Sequence, residues 1–380
     1  VKDHEVTDFQ VIPAELLPRD GRFGSGPSKV PRSGLEAFAD QGFAVMGTSH
    51  RQPAVKSLIG TIREGLTELF DLPDGYQVVL GNGGSTAFWD AAAFGLVRHR
   101  AQHLSFGEFS AKFAAVTQGA PFLGKSSILS AEPGSARPAE PESGIDSYAW
   151  PQNETSTGVM VQVRRVPGTG SDELHLIDAT SAAAGLPVDL TQTDVYYFAP
   201  QKGFAGDGGL WLAFFSPAAL ARVAEIKSSG RWIPPSLDLA TAISNSAKNQ
   251  TYNTPAIATL WLLAHQVTQL LTDGGLTHAI ARSQDSSSRL YSWAEASDFA
   301  TPFVLDASLR SSVVGTIDFT ESVDAGRLAA SLRANGILDV ESYRGLARNQ
   351  LRVGMYPAVD PDDVSALIRC IDYLVPLLAS

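Results

Sequence analysis

Cysteine is all but missing from this chain: one residue, Cys370, in 380. That excludes a disulfide framework and a cysteine-rich metal site, and it suits a reducing compartment. Charge is also sparse. Asp, Glu, Lys and Arg make up 18%, there is no basic run, and the formal net charge is −11. This argues against nucleic acid or an anionic membrane as partner. Long hydrophobic runs are lacking as well. The best candidate, residues 256–271, contains Thr259, His265, Gln266, Thr268 and Gln269. It is shorter than the ~20 residues a bilayer requires, so it reads as a buried or half-buried helix. Residues 1–5 are polar and no apolar segment follows, so no secretory signal is expected and a cytoplasmic location is. No His-Glu-x-x-His motif and no G-x-S-x-G elbow occurs, so neither a metal nor a serine nucleophile is expected.

What is present is ordinary globular material, 44% hydrophobic, enough for a large core. At ~150 residues per domain the length suits two or three domains. The first 20 residues, with Pro13 and Pro18, read as an extended arm. Residues 53–71 form an amphipathic helix with Val55, Leu58, Ile59, Ile62, Leu66 and Leu69 on one face and Pro53 in its first turn. Short apolar runs at 76–80, 103–106, 158–163, 174–177, 195–198 and 210–215 read as strands. Several are apolar on both faces, as in a covered parallel sheet. A helix is expected from Ala87 to about His99, and residues 131–147, rich in Pro, Ala, Glu and Ser, read as a surface excursion. Beyond residue 272, helical runs at 276–296 and 324–335 alternate with strands near 313–319 and 351–355. A last helix starts at Pro361 with Asp360 as its cap. The expected class is α/β: a large domain (30–271) with a mainly parallel, mixed sheet, and a smaller α+β domain built from 1–29 and 272–380.

Three constellations carry chemistry. First, a strand runs into Gly81-Asn82-Gly83-Gly84-Ser85-Thr86 and then a helix. Glycines admit close approach, and the helix start offers free N–H groups, which makes a phosphate cup. By itself it reads equally well as a turn with a Ser/Thr cap. Second, Leu174-His175-Leu176-Ile177-Asp178 ends a buried strand in a carboxylate, at the edge where α/β sheets bind ligands. Third, Tyr196-Tyr197-Phe198 leads into Gln201-Lys202 within a glycine-rich loop. A lysine desolvated there has a lowered pKa and becomes a competent nucleophile and base. Cup, Asp and Lys, in that order, are the parts a pyridoxal 5′-phosphate site needs. Lys bonds to the aldehyde, Asp pairs with the ring nitrogen and the cup takes the phosphate.

The chain also resembles the phosphoserine aminotransferase family of class V aminotransferases. The resemblance rests on Arg22-Phe23-Gly24-Ser25-Gly26-Pro27, Ser49-His50-Arg51, Asn153-Glu154-Thr155, Asp178-Ala179-Thr180-Ser181, Gln201-Lys202, Tyr252-Asn253-Thr254-Pro255 and Leu351-Arg352-Val353. It implies the aspartate-aminotransferase-like fold of type I pyridoxal-phosphate enzymes. The implied reaction is ping-pong transamination between O-phospho-L-serine and 2-oxoglutarate, giving 3-phosphooxypyruvate and L-glutamate, in serine and also pyridoxine biosynthesis. The resemblance makes Lys202 the Schiff-base lysine and Asp178 the partner of the ring nitrogen. Ser85, Thr86, Thr180 and Gln201 would bind the phosphate, Thr155 the phenolic oxygen and Phe109 the ring face. Asn253 and Thr254 would reach the cofactor phosphate of a second subunit, so a homodimer with shared sites is implied. Arg352 would hold the α-carboxylate, while His50, Arg51, Tyr343 and Arg344 would hold the distal phosphate or carboxylate.

This sequence departs from the family at three points. No Arg stands in the cup, Phe109 replaces a usual tryptophan, and Tyr343 stands where a histidine is common. Two alternatives accompany the reading: another class V enzyme, such as an alanine– or serine–glyoxylate aminotransferase, and a non-catalytic protein that binds the same cofactor. A nucleotide-binding α/β enzyme would use the cup alone.

Overall fold

The computed structural model describes residues 10–378, so the polar opening at 1–5 lies outside the described residues. In chain order the elements are α1 (Arg32–Gln41), α2 (Pro53–Leu69), β1 (Gln77–Asn82), α3 (Gly84–Gly95), β2 (Ala101–Ser105), α4 (Glu108–Gly119), β3 (Ser127–Ser130), β4 (Ser147–Pro151), β5 (Asn153–Glu154), β6 (Val159–Met160), β7 (Leu174–Asp178), β8 (Val195–Phe198), β9 (Leu210–Phe215), α5 (Pro217–Ser228), α6 (Leu239–Ser246), α7 (Ile257–Thr272), α8 (Gly275–Ala296), β10 (Ala300–Pro302), β11 (Val314–Phe319), α9 (Ala325–Ala334), β12 (Gln350–Gly354) and α10 (Pro361–Leu378).

Seven strands form one sheet in the order β1-β9-β8-β7-β4-β2-β3. β8, β7, β4, β2 and β3 run parallel, while β9 is antiparallel to both β1 and β8. β7, β8 and β9 are buried along their whole length, which is why they read as continuous apolar runs and not as alternating ones. Their shared direction decides where the chemistry lies. β1, β4, β7 and β8 all end at the same edge, so the segments leaving them converge there. The expected helix at 53–71 is α2, with Pro53 at its first position and Val55, Ile59, Ile62, Leu66 and Leu69 buried.

A second sheet, β10-β11-β12, is antiparallel and belongs with α8, α9 and α10. The arm before α1 joins it. Phe23 N–H donates to Leu338 O at 3.2 Å, Gly354 N–H donates to Phe23 O at 2.7 Å, and Ile12 and Phe23 are buried in the same apolar cluster as Leu328, Val353 and Leu367. The backbones approach so closely that a Cβ on Gly354 would lie 2.4 Å from Gly24 O. Asp360 Oδ1 accepts from Asp362 N–H at 2.9 Å at the start of α10, as a cap there should.

Three elements differ from the sequence reading. β4 begins at the end of the surface excursion expected at 131–147 and is not among the expected strands. Its apolar centre is only Tyr148-Ala149-Trp150, hemmed by an acidic, Pro-rich run and by Pro151, yet all five residues are buried. The run at 158–163 yields only β6, a two-residue partner of β5. α3 begins at Gly84 and not at Ala87, because Gly83 caps it in the left-handed region (φ 107°). Among the described residues no helix is long and apolar enough to cross a membrane.

Candidate active site

Where β1 ends, Gly83 and Gly84 (φ 107° and 71°) turn the chain sharply into α3. A Cβ on Gly83 would lie 2.6 Å from that of Ala87, so no other residue fits without a shift. The first N–H groups of α3 have no partner within the helix and lie beside the Ser85 and Thr86 hydroxyls. Ser85 Oγ is 2.6 Å from Thr180 Oγ1, which leaves the exit of β7. Gly83, Gly84, Ser85, Thr86, Thr180 and Gln201 line one side of a chamber of about 330 Å³. The arrangement is an anion cup.

Asp178, the last residue of β7, is buried in the same chamber wall. Its Oδ1 accepts from Thr180 N–H at 2.9 Å and its Oδ2 from the Trp89 indole N–H at 3.1 Å. Lys202, four residues past β8, is 6% exposed, and its Nζ donates to Thr155 Oγ1 at 2.9 Å. Thr155 Oγ1 in turn donates a hydrogen bond to Ser181 Oγ, which donates to Asn153 O, each at 2.9 Å. Burial pushes the Lys202 ammonium down to about 8, with Asp178 and Glu154 opposing and Arg352 adding to the effect. Gly26 leaves room for the side chain, since a Cβ there would sit 2.6 Å from Lys202 Cε.

The Phe109 ring, in the first turn of α4, lies 5.3 Å from Lys202 Nζ and 6.0 Å from the Tyr343 ring. Arg352, on β12, crosses from the second sheet: its Nη1 donates to Thr155 O at 3.1 Å, and its guanidinium lies 5.2 Å from the Tyr343 ring. Its Nε is buried without a partner, an open donor next to the chamber. Beneath Phe109 lies Glu154, which is fully buried. Its carboxylate accepts from Ser110 N–H (2.9 Å), Ser110 Oγ (2.9 Å), Ser156 Oγ (2.7 Å) and, at 3.3 Å, Phe109 N–H.

Eight of the fifteen expected residues therefore line one chamber: Ser85, Thr86, Phe109, Thr155, Asp178, Thr180, Gln201 and Lys202. Arg352 and Tyr343 stand at its rim. The other five stand elsewhere. Asn253 and Thr254 lie over the end of β1, where Asn82 Nδ2 donates to Asn253 Oδ1 at 2.7 Å and to Thr254 O at 3.2 Å. His50 packs against them, its Nδ1 3.3 Å from Thr254 Oγ1 and its Nε2 buried without a partner. Burial, with Arg51 adjacent, lowers its pKa. Arg51 and Arg344 are exposed, and the described residues offer neither a carboxylate partner. Arg348 is ion-paired with Asp318 and stacked on Phe303, a structural role. His175 and His103 are core residues, the latter pushed down to about 3 by burial. Cys370 is buried in α10 and pushed up to about 11, so it is no exposed thiol.

Sequence reasoning missed Trp89 and Glu154. Glu154 stood inside a quoted motif but had no evident task. Trp89 had only its four-residue spacing from Ser85 to mark it. The chamber fits pyridoxal 5′-phosphate: an anion cup, a carboxylate held by two donors, an amine on the same wall, and a volume for one ring. Gln201 Oε1 and Asn153 Oδ1, both buried, have no hydrogen-bond partner among the described residues, which leaves polar capacity for a ligand.

Comparison with known proteins agrees with this geometry. A family model described as aminotransferase class-V matches residues 144–367. A phosphoserine aminotransferase from a Nocardioides species is 60% identical over 371 residues, covering 97% of this chain and 99% of its own. Among solved structures, a phosphoserine aminotransferase from Cytophaga hutchinsonii superposes with a TM-score of 0.85 at 20% identity, over 93% of this chain and 99% of that one. One from Bacillus circulans subsp. alkalophilus gives 0.82 at 19%, over 94% and 99%. At such identities these two structures bear on the fold.

Proposed function

The chain belongs to the class V aminotransferase family, and on that premise we propose that it uses pyridoxal 5′-phosphate to interconvert O-phospho-L-serine and 2-oxoglutarate with 3-phosphooxypyruvate and L-glutamate, a step of L-serine biosynthesis. The observation that carries this reading is the meeting of Lys202, Asp178 and the N-terminus of α3 in one chamber.

When bound, the cofactor supplies an aldehyde that condenses with amines and a protonated ring that takes up the electron pair of a broken Cα–H bond. The protein supplies the rest. Ser85, Thr86, Thr180 and Gln201 hold the phosphate, and Asp178 keeps the ring nitrogen protonated. Thr155 holds Lys202 Nζ and meets the phenolic oxygen, and Phe109 covers the ring face. Lys202, with a pKa pushed down to about 8, has a usable fraction of free amine at neutral pH. It takes the α-proton from the donor and later returns it, as base and then acid. Arg352, with one guanidinium donor unpaired, grips the α-carboxylate. Tyr343 and Arg352 stand at the rim, and Glu154 holds the turn that carries Phe109.

The proposal includes a homodimer with shared sites. His50 and Arg51, with Asn253 and Thr254, lie outside their own chain's chamber, and the Arg51 charge has no carboxylate partner among the described residues. Phe43 is 90% exposed, and Met46 and Tyr252 are exposed in the neighbouring segments. Facing a second copy, the Arg51 guanidinium and the His50 ring would hold the phosphate of phosphoserine or the distal carboxylate of glutamate, with Arg344 and Tyr343 closing from the second sheet. The two-domain division, 30–271 against 1–29 with 272–380, is supported by the separate apolar cluster around the second sheet. A cytoplasmic location is supported by the single, buried cysteine.

The test is a coupled assay of glutamate formation from 2-oxoglutarate with phosphoserine, serine or alanine as donor. Phosphoserine should be strongly preferred, with ping-pong kinetics. Turnover of alanine or serine against glyoxylate, with phosphoserine inert, would replace this reading by a glyoxylate aminotransferase.

A further inference from the structure

Resting on the cofactor reading above, we propose that Trp89 is a positioning residue that fixes the Asp178 carboxylate relative to the phosphate cup. Ser85 and Trp89 are four apart on α3, so they share a face one turn apart. That face meets the exit of β7, where Asp178 and Thr180 are two apart. Ser85 Oγ pairs with Thr180 Oγ1 at 2.6 Å, and Trp89 Nε1 donates to Asp178 Oδ2 at 3.1 Å. Two parallel ties therefore couple the helix whose N-terminus makes the cup to the strand end that carries the carboxylate. One turn of α3 thus sets the spacing between the cup and the Asp178 carboxylate.

The indole is suited to this task. Trp89 is 4% exposed, and its ring stacks on Phe113 with centroids 6.2 Å apart and planes 14° apart, so it has little freedom to turn. Asp178 Oδ1 is already committed to Thr180 N–H at 2.9 Å. With one donor on each oxygen, the carboxylate cannot rotate without breaking a bond, and each oxygen retains a lone pair for the ligand. An indole has one donor and no acceptor, so it does not compete with the ligand for the carboxylate's partners.

The test compares two variants of the holoenzyme. Trp89→Phe keeps the packing and removes the donor. Trp89→His keeps an N–H at the same vertex of a five-membered ring. The readouts are the dissociation constant of pyridoxal 5′-phosphate and the pH midpoint of the bound cofactor's absorbance, with thermal unfolding of the apoproteins as a measure of packing. The phenylalanine variant should bind the cofactor about tenfold more weakly, the size expected for a lost hydrogen bond to a charged group. Its absorbance midpoint should shift, and the histidine variant should recover most of both. Wild-type values in the phenylalanine variant overturn the inference alone, as does an equal loss in both variants that tracks their unfolding temperatures. Failure of the wild-type protein to take up the cofactor overturns the functional reading and this inference with it.

Discussion

A lysine ammonium enclosed by Gly26, Thr155 and Phe109 loses water that Thr155 and the nearby carboxylates replace only in part. Its pKa falls from 10.5 to about 8. In the unfolded chain the same amine stays protonated to about pH 10. Between pH 8 and 10 the unfolded state therefore binds more protons, and this group's contribution to stability rises with pH across that window. Below pH 8 the whole cost is present, on the order of 3 kcal/mol. Apoprotein Lys202→Met should therefore be the more stable at pH 7 in urea melts, with its advantage over wild type shrinking by pH 10. A pH-independent difference would place the ammonium in a better-solvated site. For substrate, Arg352→Ala should raise KM for phosphoserine and for any neutral donor alike, whereas His50→Ala with Arg51→Ala should raise it for phosphoserine far more. Asp178 and Lys202 were legible only jointly: each alone reads as well as a turn acid or a solvated lysine, and the order cup, Asp, Lys is what pointed to one site. Trp89 was not, because an indole on an apolar helix face looks like core until its N–H is seen to meet a carboxylate.

α4 shows how a single buried side chain can hold an element. Glu154 accepts from its first-turn N–H groups and from Ser110 and Ser156, as a charge does favourably at a helix N-terminus. Phe109 rides on that turn, so the carboxylate fixes the ring that faces Lys202. Glu154→Gln keeps the shape but turns an amide toward donors. It should cost about 2–4 kcal/mol, read as a lower unfolding midpoint of the apoprotein, and weaken cofactor binding as Phe109 shifts. Gly107 completes the joint. Its backbone is extended and unstrained, but a Cβ would lie 2.3 Å from Glu154 Cγ and 2.5 Å from Ser156 Oγ. Gly107→Ala should push the two apart and lower the same midpoint; an unchanged midpoint would mean that the turn yields freely. Long periodic helices such as α2 and α7 could be read from residue spacing. β4 could not, because five buried residues with only two large apolar side chains, Tyr148 and Trp150, form no pattern, and only their neighbours β2 and β7 make them a strand.

For the molecule as a whole, the proposed homodimer makes a prediction that no single chain can satisfy. If His50 and Arg51 serve the partner's chamber, Lys202→Ala and Arg51→Ala disable different halves of one site. Each variant should be nearly inactive alone. Mixed and allowed to exchange, they should recover up to about a quarter of wild-type activity, since half the dimers are hybrids with one intact site. No recovery in demonstrably hybrid dimers would make each site self-contained.

Sequence alone determined the class of fold, most of the helices, and the identities of the lysine, the acid and the glycine cup, because hydrophobic periodicity and isolated charged residues in apolar surroundings are local properties of the chain. Only tertiary structure decided that eight dispersed residues share one chamber, that Glu154 and Trp89 bond to groups in or beside its wall, and that His50, Arg51, Asn253 and Thr254 stand outside it. Those relations depend on which strands run parallel and which ends meet at one sheet edge, and strand pairing is a contest among distant segments that no local pattern records.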